Sequence, residues 1–387
     1  FFFKQKTAYE IYQCDWSSDV CSSDLLYGAS DVPIIQNFVY VSDVSRFTFA
    51  FGCNELGTST QDPMLIRWSD QESVTMWTPS ATNQAGSIRL SHGSELITSI
   101  QTRQEIVVWS DSAVYSLQYL GPPTVWGTQL LGDNISIISP NAVSQASGVV
   151  YWMGIDKFYM YDGRVQTLNC DLRKFVYQNI NLGQSNQVFS STNEGFNEVW
   201  WFYCSSNSTT IDRYVVYNYL EKIWYYGTMA RTSWLDSGLR DYPIATGYQY
   251  NIMDHEYGVD DNEGATTAAI SAYISSSEFD IDDGDKFGFI WRMLPDLTFS
   301  GTTSGTTGEI TMTIYPMQNS GSGTGTAVAA GVSQLTGVQY TITEGFTGQV
   351  NTRVRGRQLI LKVSSNKIGT TWQLGATRMD IKVDGRR

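Results

Sequence analysis

The segment at residues 105–120, EIVVWSDSAVYSLQYL, contains the pattern that decides the fold. Two runs of β-branched and aromatic residues flank a Ser-Asp-Ser tripeptide, which is typical of two antiparallel strands joined by a tight turn. The segment at 148–165, GVVYWMGIDKFYMYDGRV, has the same form, with its turn at Gly154-Ile155-Asp156. A longer version occupies residues 197–227, where SSNSTT forms the polar tip. These hairpins predict a chain of antiparallel strands.

The hairpins recur at a nearly constant interval. Their apolar runs are centred on Trp68, Trp109, Trp152 and Trp201, so the successive spacings are 41, 43 and 49 residues. Repeats of this length that are rich in short strands are typical of propeller blades. We therefore predict a β-propeller over residues 26–262, incomplete or truncated at its N-terminus because four or five units are fewer than most rings need. One segment, DLRKFVYQNI at 171–180, predicts a short helix.

The composition changes near Glu263, where Gly-, Ser- and Thr-rich segments begin to separate the apolar runs. Such segments are typical of flexible loops. Six strand-like runs follow, at 269–279, 287–299, 309–316, 338–342, 350–365 and 371–383. Their number and length favour a β-sandwich over residues 263–387. The fold class predicted from sequence is therefore all-β, a propeller followed by a C-terminal sandwich.

The distribution of charge narrows the function classes. The formal net charge of −13 argues against a protein that coats nucleic acid, because phosphate contacts need Lys and Arg. Residues 353–387 nevertheless carry nine basic and two acidic side chains, so the first 352 residues carry −20. A basic end on an acidic body predicts docking onto a neighbour, such as another copy, and a solvated basic face is the alternative. The candidate docking residues are Arg353, Arg355, Arg357, Arg378, Arg386 and Arg387.

The first 25 residues differ from the rest of the chain. Residues 4–25, KQKTAYEIYQCDWSSDVCSSDL, resemble the translation of a sequencing-library primer and adapter, and we interpret residues 1–25 as an artefact outside the domain. Cys14 and Cys21 then need no partner. The remaining Cys53, Cys170 and Cys204 are predicted to be reduced, buried thiols. With no apolar run of eighteen residues, the sequence also predicts no membrane span.

Motifs that carry catalysis are scarce. The chain has two histidines and lacks the nucleophile-elbow, phosphate-loop and zinc-helix patterns, so we predict a protein that is not an enzyme and binds no cofactor. The acidic segment 280–288 breaks the EF-hand order and favours a solvated turn. A second acidic segment, at 254–264, offers ligands for a divalent cation, although an exposed linker between domains is favoured. Its candidate ligands are Asp254, His255, Glu256, Asp260 and Asp261.

Three groups of passages carry a resemblance that is more specific than any catalytic motif. They are NISIISPNAV with YWMGIDKFYMYDGRVQTL; FNEVWWFYC with DRYVVYNYLEKIWYYGTMARTSWLD; and RVRGRQLILKVSSNKIGTTWQLGATRMDIKVDGRR. From about residue 30 to Arg387 the chain resembles a family of structural proteins from tailed bacteriophages, similar in role to the packed-DNA stabilisation and tail-nozzle proteins of short-tailed phages.

The resemblance implies a virion location, at the tail or head–tail connection. It further implies a propeller body in a homo-oligomeric ring, in contact with other virion proteins, that lines or seals the conduit for genomic DNA without sequence-specific binding. Two alternatives stay open. One is a receptor- or carbohydrate-binding tail propeller, and the other is a propeller glycosidase, which would need two carboxyl groups about 5 to 10 Å apart.

Overall fold

The computed structural model describes residues 31–238, 240–264, 266–281, 284–319, 337–345 and 348–385. The interpretation of residues 1–25, including Cys14 and Cys21, lies outside the described residues. The chain divides into two compact units, at residues 1–256 and 257–387. The sequence prediction placed this boundary after residue 262. In the described residues, strands far outnumber helices, and the all-β prediction is confirmed.

The first unit is a series of antiparallel sheets, each built from consecutive strands. Sheet 1 contains β1 (Phe38–Val41), β2 (Thr48–Phe51), β3 (Leu65–Trp68) and β4 (Gly86–Arg89). Sheet 2 contains β5 (Leu96–Gln101), β6 (Glu105–Ser110), β7 (Ala113–Tyr119) and β8 (Trp126–Asp133). Sheet 3 contains β9 (Val143–Ala146), β10 (Val149–Met153), β11 (Phe158–Tyr161) and β12 (Val165–Leu168).

The last two sheets of this unit follow a short helical connection. Helix α1 (Arg173–Asn179) lies within the segment predicted to be helical, and two 3₁₀ turns follow at Leu182–Gln187 and Glu194–Phe196. Sheet 4 contains β13 (Phe189–Asn193), β14 (Glu198–Tyr203), β15 (Arg213–Asn218) and β16 (Ile223–Thr228). Sheet 5 contains β17 (Ser233–Leu235), β18 (Ile244–Thr246) and β19 (Ile252–Asp254). Four-stranded antiparallel sheets in chain order are the form of propeller blades.

Side-chain alternation along the central strands explains why the sheets stack. In β6, Ile106 and Val108 belong to the core shared by sheets 1 and 2. Val107 and Trp109 point the other way, into the core shared by sheets 2, 3 and 4. Because successive side chains of a strand face opposite sides, a continuous apolar run buries both faces of its sheet. The predicted hairpin follows this rule, with its turn at Asp111 and Ser112.

The tryptophans that set the repeat spacing lie at the contacts between sheets. Trp109 and Trp152 are fully buried and meet edge to face, with ring centroids 5.2 Å apart. Trp201 packs against Phe158 of sheet 3 at 5.1 Å. Aromatic pairs in these geometries stabilise a contact beyond the area that they bury. The tryptophans at the centres of the repeats therefore form contacts between neighbouring sheets.

The second unit contains two main sheets. The larger sheet pairs β22 (Ala272–Ser275), β29 (Gln358–Ser365), β26 (Glu309–Met317) and β27 (Val338–Thr343), with β23 (Phe279–Asp280) also on β29. The smaller sheet pairs β28 (Val350–Gly356), β24 (Gly288–Leu294) and β31 (Arg378–Val383). Short two-stranded ladders join β20 (Asp260–Asp261) to β21 (Ala268–Ala269) and β25 (Leu297–Thr298) to β30 (Gln373–Leu374).

One apolar core joins the two main sheets of the second unit. Ile290 and Val354 from the smaller sheet and Met312 and Leu361 from the larger sheet belong to the same cluster. Two antiparallel sheets that share a core form a β-sandwich, as predicted. The run at 350–365 is an exception, because the sequence predicts one strand and the structure divides it at Arg357 into β28 and β29. The two halves enter different sheets, so the chain crosses the sandwich at that residue.

Candidate functional site: a basic face on the sandwich

The outer face of the three-stranded sheet β28-β24-β31 concentrates positive charge. Along β28, Val350, Thr352 and Val354 are buried, whereas Arg353 and Arg355 are exposed. This alternation follows from the period of two in a strand that covers a core on one side. Two of the predicted docking residues therefore share the solvent face of one strand.

The register of the sheet adds further cations to this face. Phe289 of β24 lies opposite Arg355 on one side and Lys382 on the other. Arg292 pairs with Asp380, and Leu294 lies opposite Arg378. Residues directly opposite each other in a ladder project to the same side. We call this surface the basic face, and its cationic residues are Arg292, Arg353, Arg355, Arg378 and Lys382.

Aromatic rings lie among these cations. The guanidinium of Arg355 lies 4.2 Å from the centre of the Phe287 ring, and its Nε is 2.5 Å from Asp384 Oδ2. Trp291, which sits at a bulge in β24, lies 4.9 Å from the guanidinium of Arg292 and 5.5 Å from Lys382 Nζ. Such contacts orient a cation without neutralising it.

The ion pairs of the basic face leave an excess of positive charge. Arg292 pairs with Asp380, and Arg355 pairs with Asp384. Arg353 and Arg378 have no ion pair within the part of the chain that the structure describes. Among the described residues, two carboxylates therefore pair with members of a group of five cations. An exposed surface of one sign attracts a partner surface of the opposite sign.

The structure brings together only part of the predicted docking set. Arg353, Arg355 and Arg378 share the basic face, whereas Arg357 lies between β28 and β29, with its guanidinium 5.2 Å from the Phe287 ring centre. Arg386 and Arg387 lie outside the described residues. Sequence reasoning missed Arg292, Lys382 and Trp291. The bulge at Trp291 interrupts the alternation of GFIWRML, so periodicity alone assigns the following residues to the wrong face.

The first unit has the opposite charge. Between residues 31 and 256 there are 21 Asp and Glu residues against 12 Lys and Arg residues, which gives a net charge of −9. Many of these carboxylates occupy turns between strands, and Asp43, Glu95, Asp111 and Asp156 are exposed. The chain therefore carries both a basic surface and an acidic unit.

The candidate metal ligands are not arranged to hold a cation. Asp254 is exposed at the end of β19, and Nε2 of His255 accepts a hydrogen bond from Arg231 Nε at 3.0 Å. Asp260 accepts from the backbone amide of Gly369 at 2.7 Å, and Asp261 from that of Glu263 at 2.9 Å. Across the described residues no three His, Cys, Asp or Glu side chains form a metal-binding group. The Arg231 guanidinium beside His255 would also repel a metal ion.

Glu256, the fifth candidate, is exposed and follows β19, and it contacts a polar cluster whose members Asn193 and Glu198 are buried in sheet 4. Its carboxylate accepts from Asn193 Nδ2 at 3.2 Å, and the same nitrogen lies 3.5 Å from Glu198 Oε2. Glu198 also accepts from Trp200 Nε1 at 2.9 Å and from the Tyr225 hydroxyl. Burial raises the pKa of Glu198 although these hydrogen bonds oppose the change.

The second carboxyl of this cluster behaves similarly. Desolvation of its carboxyl and the nearby Glu198 raise the pKa of Glu256, although the residue as a whole is exposed to solvent. Sequence reasoning missed Glu198, because a charged residue at the start of a hydrophobic strand gives no sign that it is buried. The neighbouring donors from Asn193, Trp200 and Tyr225 lie on three different strands, which only the folded sheet brings together.

The thiols differ from the prediction at one position. Cys53, Cys170 and Cys204 are all free, as expected for reduced cysteines. Cys53 and Cys204 are buried, but Cys170 is only partly buried. Burial raises the pKa of both Cys53 and Cys170 to about 12, so neither thiol is activated for nucleophilic chemistry.

Comparison with known proteins gives no family assignment. No family model and no curated protein matches the chain. The extracellular domain of a putative one-component system from B. thetaiotaomicron is similar at 9% identity and a TM-score of 0.33, over 59% of this chain and 28% of that one. Hsv2 of Kluyveromyces lactis is similar at 10% identity and a TM-score of 0.32, over 56% and 60% of the two chains.

A third solved structure is similar over a larger share of this chain. An exo-β-1,3-galactanase from Phanerochaete chrysosporium is similar at 11% identity and a TM-score of 0.30, over 90% of this chain and 96% of that one. The chain spans less than two thirds of the length of the first two structures. At these identities and TM-scores the similarities carry no argument about activity. Separately, no helix in the described residues has the length and apolar character needed to cross a membrane.

Proposed function

We propose that the chain is a structural, non-enzymatic component of a phage virion, at the tail or head–tail connection. In this proposal the chain forms a homo-oligomeric ring that lines or seals the DNA conduit. The observation that carries the proposal is the basic face of the sandwich, in a chain whose first unit is acidic. Each copy thereby offers two surfaces of opposite charge to its neighbours.

The difference between the two surfaces favours a ring. A contact between the basic face of one copy and the acidic unit of the next can repeat head-to-tail, and repeated head-to-tail contacts close into a ring when the rotation between copies permits. A two-fold contact centred on the basic face would instead oppose like charges. Charge complementarity between the basic face and the acidic unit of the next copy therefore supports cyclic assembly.

The blade architecture supports a mechanical role. Each of sheets 2 and 4 contributes side chains to cores on both of its faces, so neighbouring sheets are held by continuous packing. Close-packed interiors of this kind resist deformation. The acidic charge of the same unit would repel the phosphates of DNA and so let a duplex pass without adhering.

The experiment compares assembly of the purified chain with that of a charge-reversed variant, Arg353→Glu/Arg378→Glu. Both residues are exposed, and neither forms an ion pair with another described residue, so the variant should fold. We expect the unaltered chain to sediment as a ring that dissociates as salt increases, and the variant to sediment as a monomer. Lys174→Glu/Arg240→Glu, an equal charge change on exposed residues of the first unit, should leave the ring intact.

Two results would contradict the proposal. A chain that remains monomeric at micromolar concentration and low salt would exclude a ring held by this chain alone. A double variant that assembles as well as the unaltered chain would exclude the basic face as the contact. Negative-stain electron microscopy of the same samples would distinguish closed rings from open filaments.

A further inference from the structure

A polar pocket lies in the first unit where sheet 2 meets the turn between β11 and β12. Its volume is about 340 Å³, which falls within the range of small-molecule sites. We call it the Glu105 pocket, and its lining residues are Gln104, Glu105, Gln118, Tyr119, Gln129, Leu131, Tyr161 and Gly163. Glutamine is unusually frequent in this lining, and Glu105 provides its one charged side chain.

The Glu105 carboxylate is held by neutral donors. It accepts hydrogen bonds from the hydroxyl groups of Ser116 and Tyr161 and from Gln118 Nε2 at 3.0 Å. Burial raises the pKa of Glu105, but these three hydrogen bonds outweigh it and leave the pKa below its ordinary value. The group is therefore ionised at neutral pH. Its two oxygens offer about four acceptor positions, so one position stays available to a ligand.

Two further side chains of the pocket are available for hydrogen bonding. Gln104 and Gln129 are exposed, and neither side chain has a hydrogen-bond partner among the residues that the structure describes. Each amide presents two donors and one acceptor oxygen. Together with Glu105 they offer donors and acceptors within one small concave surface.

An open turn completes the pocket. Tyr119 belongs to the lining, but its ring packs on Trp126 at 5.4 Å, on the face of β7 opposite to Ser116 and Gln118, so Glu105 and the glutamines supply the polar contacts. Gly163, in the turn between β11 and β12, has a φ of +108°, a backbone conformation that favours glycine. The rim of the pocket therefore carries no side chain at this position.

The chemistry of the lining selects a class of ligand. Glu105 would repel an anion. A divalent cation needs several oxygen ligands, and Glu105 is the one carboxylate in the lining. A hydroxyl group both donates and accepts, so it can donate to Glu105 while it accepts from a glutamine amide.

We propose that the Glu105 pocket binds one unit of a neutral saccharide. One sugar hydroxyl donates to the free acceptor position of Glu105, and Gln104 and Gln129 bind neighbouring hydroxyls. The proposal does not rest on ring assembly, since it is argued from the pocket alone and the pocket includes no residue of the basic face.

The test is a binding measurement on the purified full chain by saturation-transfer-difference NMR and calorimetry. The probes are maltotriose, cellotriose and triacetylchitotriose, with trigalacturonic acid as an anionic comparison. We expect at least one neutral trisaccharide to bind with a millimolar or lower Kd, and trigalacturonic acid not to bind. In Gln104→Ala/Gln129→Ala the affinity should fall about tenfold or more, because two hydrogen-bonding groups are lost.

The control is Gln339→Ala, which removes an exposed glutamine from the second unit and should leave saccharide binding unchanged. Since both pocket glutamines are exposed, their removal should not alter the thermal midpoint of unfolding. Failure of all three neutral probes to bind would overturn the proposal. So would binding that is equally strong in the double variant, because the saccharide would then occupy another surface.

Discussion

His255 makes the stability of the first unit depend on pH. Its ring packs on Trp234, with centroids 4.5 Å apart, and its Nε2 accepts from Arg231 Nε. Burial and the positive charge of Arg231 lower the pKa of His255 from 6.5 to about 4. A proton on Nε2 would abolish this acceptor and place a second positive charge against Arg231. Acidification should therefore destabilise the contact of sheet 5 with sheet 4.

The sign and size of the effect follow from linkage. The unfolded chain binds a proton at His255 near pH 6.5 and the folded chain only near pH 4, so the stabilising contribution is complete above pH 6.5 and is lost as the pH falls toward 4. Between pH 7.5 and 4.5 the loss is about 2.5 kcal/mol, at about 1.4 kcal/mol per pKa unit. The raised pKa values of Glu198 and Glu256 act in the opposite direction.

A variant isolates the histidine from those carboxyl groups. In His255→Gln the side-chain oxygen can still accept from Arg231 but does not titrate. We expect the free energy of unfolding of the unaltered chain, relative to that of the variant, to fall by about 2.5 kcal/mol between pH 7.5 and 4.5. Urea denaturation followed by tryptophan fluorescence measures both values. His92→Gln, at the exposed second histidine, should follow the unaltered chain.

Hydrogen exchange locates the same effect. The amides of β17, β18 and β19 should exchange faster at low pH in the unaltered chain than in His255→Gln, after correction for intrinsic rates. If both proteins show the same change in stability between the two pH values, the assignment of the pH dependence to His255 is refuted.

Two further predictions concern the blade contacts and DNA. Replacement of the fully buried Trp152 by Ala should lower the free energy of unfolding by about 3 to 5 kcal/mol. The control is Ile155→Ala, at a residue that is 52% exposed in the adjoining turn, and it should change the free energy of unfolding by less than about 0.5 kcal/mol. Equal urea midpoints for the two variants would contradict the role of Trp152 in the contact between blades. Duplex DNA should show no measurable binding in fluorescence anisotropy at moderate salt, because the net charge is −13, and micromolar affinity would argue against a non-adhering conduit wall.

Local sequence patterns predicted the elements that depend on neighbours in the chain. The hairpin around Asp111 and the helix at Arg173–Asn179 follow from turn chemistry and from short-range periodicity. The regular tryptophan spacing predicted the repeat of sheets. The hairpin and the helix are accessible because their determinants lie within about ten residues of one another, and an antiparallel pair with a tight turn leaves few alternative pairings.

The candidate sites depended on long-range pairing to a greater degree. The charge count of residues 353–387 indicated a basic end, but the inclusion of Arg292 depends on β24 lying between β28 and β31 and on the bulge at Trp291. Similarly, Glu105 and Tyr161 are 56 residues apart and meet because the turn of sheet 3 lies beside sheet 2. No periodicity within either segment records that contact.

The sequence by itself therefore determined the all-β class, the hairpins, the repeat and the sign of the charge at each end. The tertiary structure decided the strand break at Arg357, the burial of Glu198, the lowered pKa of His255 and the grouping of glutamines around Glu105. The physical reason is that hydrophobic periodicity specifies which face of a strand is covered. Strands that are distant in the chain supply the surface that covers this face. They therefore determine the solvation and the charge around each polar group.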